Sequence, residues 1–134
     1  MQKDYEKLVN YWKNTAKYDY ISMKSLFDGG RYVSSLFFGH IVLEKILKAL
    51  IVKNTKKQAP FTHDLVRLYK MSKIDQEDKD KELLLEVSDF NIRTRYPEWK
   101  LRFYKACTKK YTQKYILEID KLYKKLCQEL KPKK

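Results

Sequence analysis

The run from Tyr32 to Val52, YVSSLFFGHIVLEKILKALIV, constrains this chain more than any other stretch, because it is long, apolar and apolar on nearly every side. At helical spacing Val33, Leu36, Phe37, His40, Leu43, Leu47, Leu50 and Ile51 make one continuous stripe, and Ile41, Val42 and Ile46 cover much of the remainder. A helix of that kind has to be surrounded by others. It is not a membrane span, since His40, Glu44, Lys45 and Lys48 interrupt it and polar side chains at mid-bilayer are costly. The covering helices must come from this chain or from a second copy.

The rest of the sequence supplies them. At 134 residues the chain is long enough to bury a core as a single domain, residues 1–134. Three glycines and three prolines leave little punctuation, which favours a few long helices over many strands. Leu8, Trp12, Ala16, Asp19, Met23 and Leu26 recur at three- and four-residue steps and predict a first helix over 4–27, with Asp4 as its cap. Asp28, Gly29 and Gly30 end it in a tight turn, so the central helix, about 31–53, runs back antiparallel. NTKKQAP (54–60) is a polar connection. Thr62 is a good N-cap for a short third helix carrying Leu65, Val66, Leu68 and Tyr69, and Asp64 in its first turn suits the helix dipole. A fourth helix, about 76–92, turns Leu83, Leu84, Val87 and Phe90 inward. A last one, from about Thr108 to Leu130, does the same with Tyr111, Tyr115, Ile119, Leu122, Leu126 and Leu130, and residues 131–134 form a frayed basic tail. Between them, 91–107 has no clear period, and the proline ring of Pro97 makes Arg95 and Tyr96 extended. The expected fold is all-α: an antiparallel up-and-down bundle of four long helices with one additional short helix.

Charge is unevenly placed. The chain carries +13, of which Arg93 to Lys134 holds +10, with 14 Lys or Arg against 4 Asp or Glu. Such a field attracts phosphate backbones or an acidic protein surface; equally, it is what a solvated, lysine-rich helix face looks like. In the last helix Lys110, Lys114, Lys121 and Lys125 share a flank, with Glu118 in the gap.

Few residues point to chemistry. Arg93, Arg95, Tyr96, Trp99, Lys100 and Arg102 interleave cations with aromatics, a pattern that can hold phosphates and stack on bases, or can plug a bundle end while its arginines pair with carboxylates. His40 sits on the inner stripe one turn before Glu44, where it reads as a core histidine able to share a hydrogen bond with that carboxylate. His63 is accessible at a helix start, suited to local capping, to phosphate binding or to acid chemistry. Asp19 inside an apolar stripe needs a donor partner or a wet cleft. Cys107 and Cys127 form no CxxC pair, have no histidine at ligand spacing and read as reduced packing residues; neither a metal site nor a bound cofactor is expected. MQKDYEKLVNYW contains acid and no apolar core of signal-peptide length, so a cytoplasmic protein off the membrane is expected.

The order Trp12, Ala16, Asp19, then GGRY (29–32), LEKILKAL (43–50), Pro60, THDL (62–65), Leu68 and RYP (95–97) resembles the HEPN domain family of higher eukaryotes and prokaryotes, in the prokaryotic branch often encoded beside minimal nucleotidyltransferases. The resemblance spans about residues 8–97. It implies a four- to five-helix up-and-down bundle, usually a homodimer. Many members are metal-independent ribonucleases, often toxins, using an Arg-x4-6-His motif near the last helix, while others are non-catalytic partners of a nucleotidyltransferase. Here the motif is absent: the positions five to seven residues after Arg93 are Glu98, Trp99 and Lys100, those after Arg95 are Lys100, Leu101 and Arg102, and no histidine follows His63. General acid–base help is worth ~10²–10⁴-fold, so the lack of its usual agent is a substantial loss.

The expectation is therefore a non-catalytic module that binds a nucleotide, RNA or a nucleotidyltransferase partner, in a setting of toxin–antitoxin type. Arg93, Arg95, Tyr96, Lys100, Arg102, Lys110 and Lys114 are the candidate phosphate contacts, and Asp19, His40, Glu44, Lys48, His63 and Asp64 the candidate polar cleft. The alternatives are a ribonuclease using Arg93 or Arg95 with His63, and a purely structural or antitoxin subunit.

Overall fold

In the computed structural model, which describes residues 2–132, the chain forms six helices. They are α1 (Gln2–Asp28), α2 (Tyr32–Thr55), α3 (Leu65–Met71), α4 (Asp78–Arg93), α5 (Pro97–Ala106) and α6 (Lys109–Leu130). The expected frayed tail falls partly outside the described residues, at 133 and 134.

As its composition requires, α2 is the centre. Leu36, Leu43, Ile46, Leu47, Leu50 and Ile51 are fully buried, enclosed by Ala16 and Met23 of α1, Leu65, Leu68 and Tyr69 of α3, Leu84 and Val87 of α4, Phe103 of α5, and Ile119 and Leu126 of α6. Directions follow from pairs across the interfaces. Phe27 meets Tyr32 at the α1–α2 turn and Lys48 lies over Trp12 near the other end, so α1 and α2 are antiparallel. Tyr20 stacks on Tyr123 and donates to Asp120, joining α1 to α6. Gly39 lets α2 pack closely in the core: a Cβ there would lie 2.8 Å from Ile119 Cδ1 and 3.4 Å from Met23 Sδ.

The turn between α1 and α2 has a specific local cause. Arg31 N–H donates to Leu26 C=O at 2.8 Å and Gly30 N–H to Phe27 C=O at 3.0 Å, the paired bonds of a Schellman C-cap, and Gly30 supplies the positive φ (+76°) that closure needs.

Three local expectations change. Helix α1 starts at Gln2, so Asp4 lies in its first turn and complements the dipole instead of capping. The cap of α3 is Asp64, whose carboxylate accepts from Arg67 N–H at 3.2 Å; Thr62 accepts from Asp64 N–H one step earlier. The stretch left without a period contains a helix, α5. Tyr96 is extended (φ −98°, ψ 127°), as the residue before a proline must be, and Pro97 then starts α5 with its φ already helical. Arg95 instead belongs to the turn closing α4, its N–H donating to Ile92 C=O. Phe103 anchors α5 in the core against Phe90, while Trp99, Leu101 and Tyr104 stay exposed.

Candidate functional site

A connected polar cluster assembles around His63, and α2 builds it from one face. His40 and Glu44 lie a turn apart there, and the segment entering α3 passes over both. His40 Nε2 donates to the main-chain carbonyl of His63 at 3.0 Å, which fixes the backbone. Glu44 Oε1 accepts from His63 Nδ1 at 2.7 Å, which fixes the ring. Because a carboxylate only accepts, Nδ1 carries the hydrogen, and in the neutral ring Nε2 is the bare nitrogen. The His63 side chain is 58% exposed. On the far side of the segment, Leu65 N–H donates to Ser88 Oγ of α4 at 3.1 Å.

The second oxygen of Glu44 accepts from Lys48 Nζ at 3.1 Å. Lys48 is only 6% exposed, its ammonium lies over the Trp12 ring at 5.2 Å, and one hydrogen bond to Glu44 uses one of its three donors. Glu44 thus bridges an exposed imidazole and a buried ammonium.

His40 is the core histidine expected, but its hydrogen-bond partner is the His63 carbonyl and not Glu44. Its Nδ1 stands 3.9 Å from Glu44, too far for a hydrogen bond. At 2% exposure the ring is a core histidine. Burial, above all, lowers its pKa; the bond to His63 and the charge of Glu44 oppose this, while His63 and the positive charge of Arg95 add to it. The charge of Arg95 is thus felt at the His40 ring.

The remaining candidates disperse. Asp19 is not part of this cluster: it accepts from Lys45 Nζ at 2.6 Å. Asp64 is occupied as the α3 cap. Arg93 pairs with Asp89 at 2.7 Å, one turn back along α4, and lies over Phe103. Lys100 lies over Tyr104, Arg102 over Trp99, and Tyr96 is exposed at the N-cap of α5. Lys110 is exposed in the first turn of α6. Lys114, over Tyr115, lines with Lys121 and Lys125 a furrow of about 370 Å³ between α4 and α6. Its other walls include Asp80, Glu82, Glu86 and Glu118, so this basic flank faces acid. Lys125 donates to Asp80 at 2.6 Å and to Glu77 at 2.7 Å. Although burial opposes it, those two bonds raise the Lys125 pKa.

Sequence reasoning missed Ser88 as a support and Trp12 as the wall under Lys48. Nothing marks Ser88 in advance; Trp12 stood in the apolar stripe of the first helix, but its contact with Lys48 is set by how α1 lies on α2. Cys107 is buried, and burial pushes its thiol up to about 11, far from a nucleophile's range. Among the described residues no group of three His, Cys, Asp or Glu is arranged to hold a metal, and no helix is long and apolar enough to cross a membrane.

Comparison with known proteins agrees with the fold. The chain is similar to the crystal structure of TT1696 from Thermus thermophilus, with a TM-score of 0.76 at 17% identity, over 92% of this chain and 98% of that one. At that identity the likeness concerns the fold alone. No curated protein matches in sequence. The family model described as HEPN domain matches residues 9–130, which takes in all of α2, the His63 segment and nearly the whole bundle. The chain belongs to the HEPN domain family.

Proposed function

We propose that this chain binds a phosphate-bearing ligand, a nucleotide or RNA, at the His63 cluster. The observation that carries the reading is the double fixation of His63: backbone by His40, ring by Glu44, with Nε2 left free of both bonds. A surface histidine without a task has no need of two partners from one helix. Protonated, Nε2 donates to a phosphate oxygen; Arg95 adds positive charge, and the spare donors of Lys48 lie behind Glu44. HEPN membership supports a nucleotide-binding or ribonuclease-type module in general, and the choice of ligand is this proposal's own. Binding of RNA and of mononucleotides, measured against salt for wild type, His63→Ala and Arg95→Ala, tests it. The expected result is salt-sensitive binding weakened at least tenfold by either substitution; binding indifferent to both would remove the cluster from the account.

A second reading is favoured by one specific feature. A carboxylate on Nδ1 is what an imidazole needs to act as a general base through Nε2. His63 would take the proton of a ribose 2′-hydroxyl, the 2′ oxygen would bond to phosphorus, and the bond from phosphorus to the 5′ oxygen would break, leaving a 2′,3′-cyclic phosphate. Arg95 would offset charge on the phosphoryl oxygens and a water would return a proton to the leaving 5′ oxygen. RNA cleavage without divalent metal, lost in His63→Ala and in Glu44→Gln, would put this reading first. A homodimer, a nucleotidyltransferase-fold partner, a toxin–antitoxin setting and a cytoplasmic location complete the proposal on the family resemblance. Sedimentation of the pure protein and co-purification with the partner test the first two.

A further inference from the structure

We infer that Phe61 is a stacking platform for an unpaired nucleobase whose phosphate sits at His63. The inference rests on the cluster being a phosphate site. Phe61 is 101% exposed, so its ring adds nothing to the core. Yet its place in the chain is fixed on both sides. Before it, Ala59 packs against the core and Pro60 is half-buried. After it, Thr62 N–H donates to Pro60 C=O at 3.0 Å, Thr62 Oγ1 accepts from Asp64 N–H at 3.2 Å, and the His63 carbonyl is held by His40. The segment therefore holds an aromatic ring out into water. Phe61 and His63 are two steps apart in the chain, so their Cα atoms lie at most about 7 Å apart. That is the scale on which a nucleotide separates its phosphate from its own base.

The surroundings favour a base over a protein partner. A docking hot spot sits inside a patch of apolar contacts that exclude water. Along this segment the exposed neighbours are Lys56, Lys57, Gln58, His63 and Asp64, all polar or charged. A base needs only one flat face to stack on and a cation for its phosphate, and that combination is sequence-tolerant. The ligand class is accordingly a nucleotide or a single-stranded RNA, with duplex excluded because its bases are already stacked.

The test uses three probes: a mononucleotide, a single-stranded RNA, and an abasic oligomer of the same length. The variants are Phe61→Ala, Phe61→Leu and Phe61→Trp, which leave the core untouched and should unfold at the wild-type temperature. Phe61→Ala is expected to weaken RNA binding about tenfold, on the scale of one base stack, and to leave the abasic oligomer unaffected. Phe61→Leu should behave like alanine, because it keeps apolar area and loses the π face. Phe61→Trp should hold wild-type affinity, its fluorescence quenched on binding. A loss shared by the mononucleotide assigns the stacked base to the nucleotide bound at His63; a loss confined to the RNA assigns it to a neighbouring one and overturns the single-nucleotide geometry. If Phe61→Leu binds like wild type, or Phe61→Ala binds RNA undiminished while His63→Ala does not, the platform is wrong and the phosphate site stands. If wild-type protein retains none of the probes, both fall together.

Discussion

Two regions gather lysines and carboxylates, the cluster on α2 and the furrow between α4 and α6, and they differ in how far the lysine is open to water. In the cluster one largely enclosed carboxylate, Glu44, serves two partners, and one of them, Lys48, is buried. Neither Glu44 nor Lys48 can readily turn to water for relief. In the furrow Lys125 is 41% exposed and has two carboxylates, Glu77 and Asp80, so the loss of either leaves the other and solvent. The first arrangement holds an exposed imidazole in one pose. The second neutralises a helix flank through a lysine that stays open to water. Formal charge concentrates in the C-terminal third, but the exposed imidazole is fixed by α2 at the entrance to α3.

Removing Glu44 should separate the two regions most. Glu44→Ala strands the Lys48 ammonium against Trp12 and frees the His63 ring. A loss of about 3 kcal/mol is expected, as for a buried pair deprived of one member, and ligand binding should fall with it. Urea unfolding at neutral pH reads the first effect. A loss under about 1 kcal/mol would mean the cluster is as forgiving as the furrow.

In the furrow the matching change is Asp80→Asn. Its side chain is buried, but an amide oxygen can still accept from Lys125, which also keeps Glu77. The expected cost is about 1 kcal/mol, close to that of one hydrogen bond, with ligand affinity unchanged. The contrast with Glu44→Ala is the measurement: the two regions differ if the first variant loses stability and binding together and the second loses a little stability alone.

How far this contrast was readable in advance depended on the distance over which each contact acts. The bundle was legible because it follows from periodic apolar positions within single helices, of which α2 is the extreme case. His40 and Glu44 could be placed on one face, but not the fact that His40 reaches a main-chain carbonyl 23 residues on. Asp19 evidently needed a donor, but whether that would be Lys45, an arginine of the 93–102 stretch or water is decided by how α1 lies on α2. The acidic wall facing the lysines of α6 comes largely from α4, so a charge count along α6 alone overstated its field. Helix α5 was missed although local rules could have given it, since Pro97 followed by Glu98 is a helix start; its aromatics obscured the period because only Phe103 turns inward.

A smaller effect distinguishes the regions by pH. Burial, first of all, lowers the pKa of His40, so the unfolded chain takes up a proton near pH 6.5 that the folded chain resists. Stability attributable to His40 is therefore flat above about pH 6.5 and falls as pH drops below it toward the lowered folded value. The fall stays below the ~1.4 kcal/mol per pH unit that complete exclusion of the proton would cost. His40→Gln should flatten this part of the profile between about pH 5.5 and 7, measured by urea midpoints, while Asp80→Asn leaves it in place. A profile unchanged in His40→Gln would assign the acid sensitivity to other groups.

The smallest expected effect is the most informative about where ligand binds. Lys121 and Lys114 are both exposed on the furrow. Replacing either by glutamine should change stability by less than about 0.5 kcal/mol, the ordinary range for surface positions. If the cluster is the binding site, these changes act only through the long-range field, which salt at about 0.15 M screens beyond about 8 Å. A loss visible at low salt should then vanish at physiological salt, whereas the loss in His63→Ala persists because a direct contact does not depend on the field at a distance. Should Lys121→Gln weaken RNA binding as much as His63→Ala does at both salts, the ligand lies along α6, and the fixed histidine is no more than an internal brace for the entrance to α3.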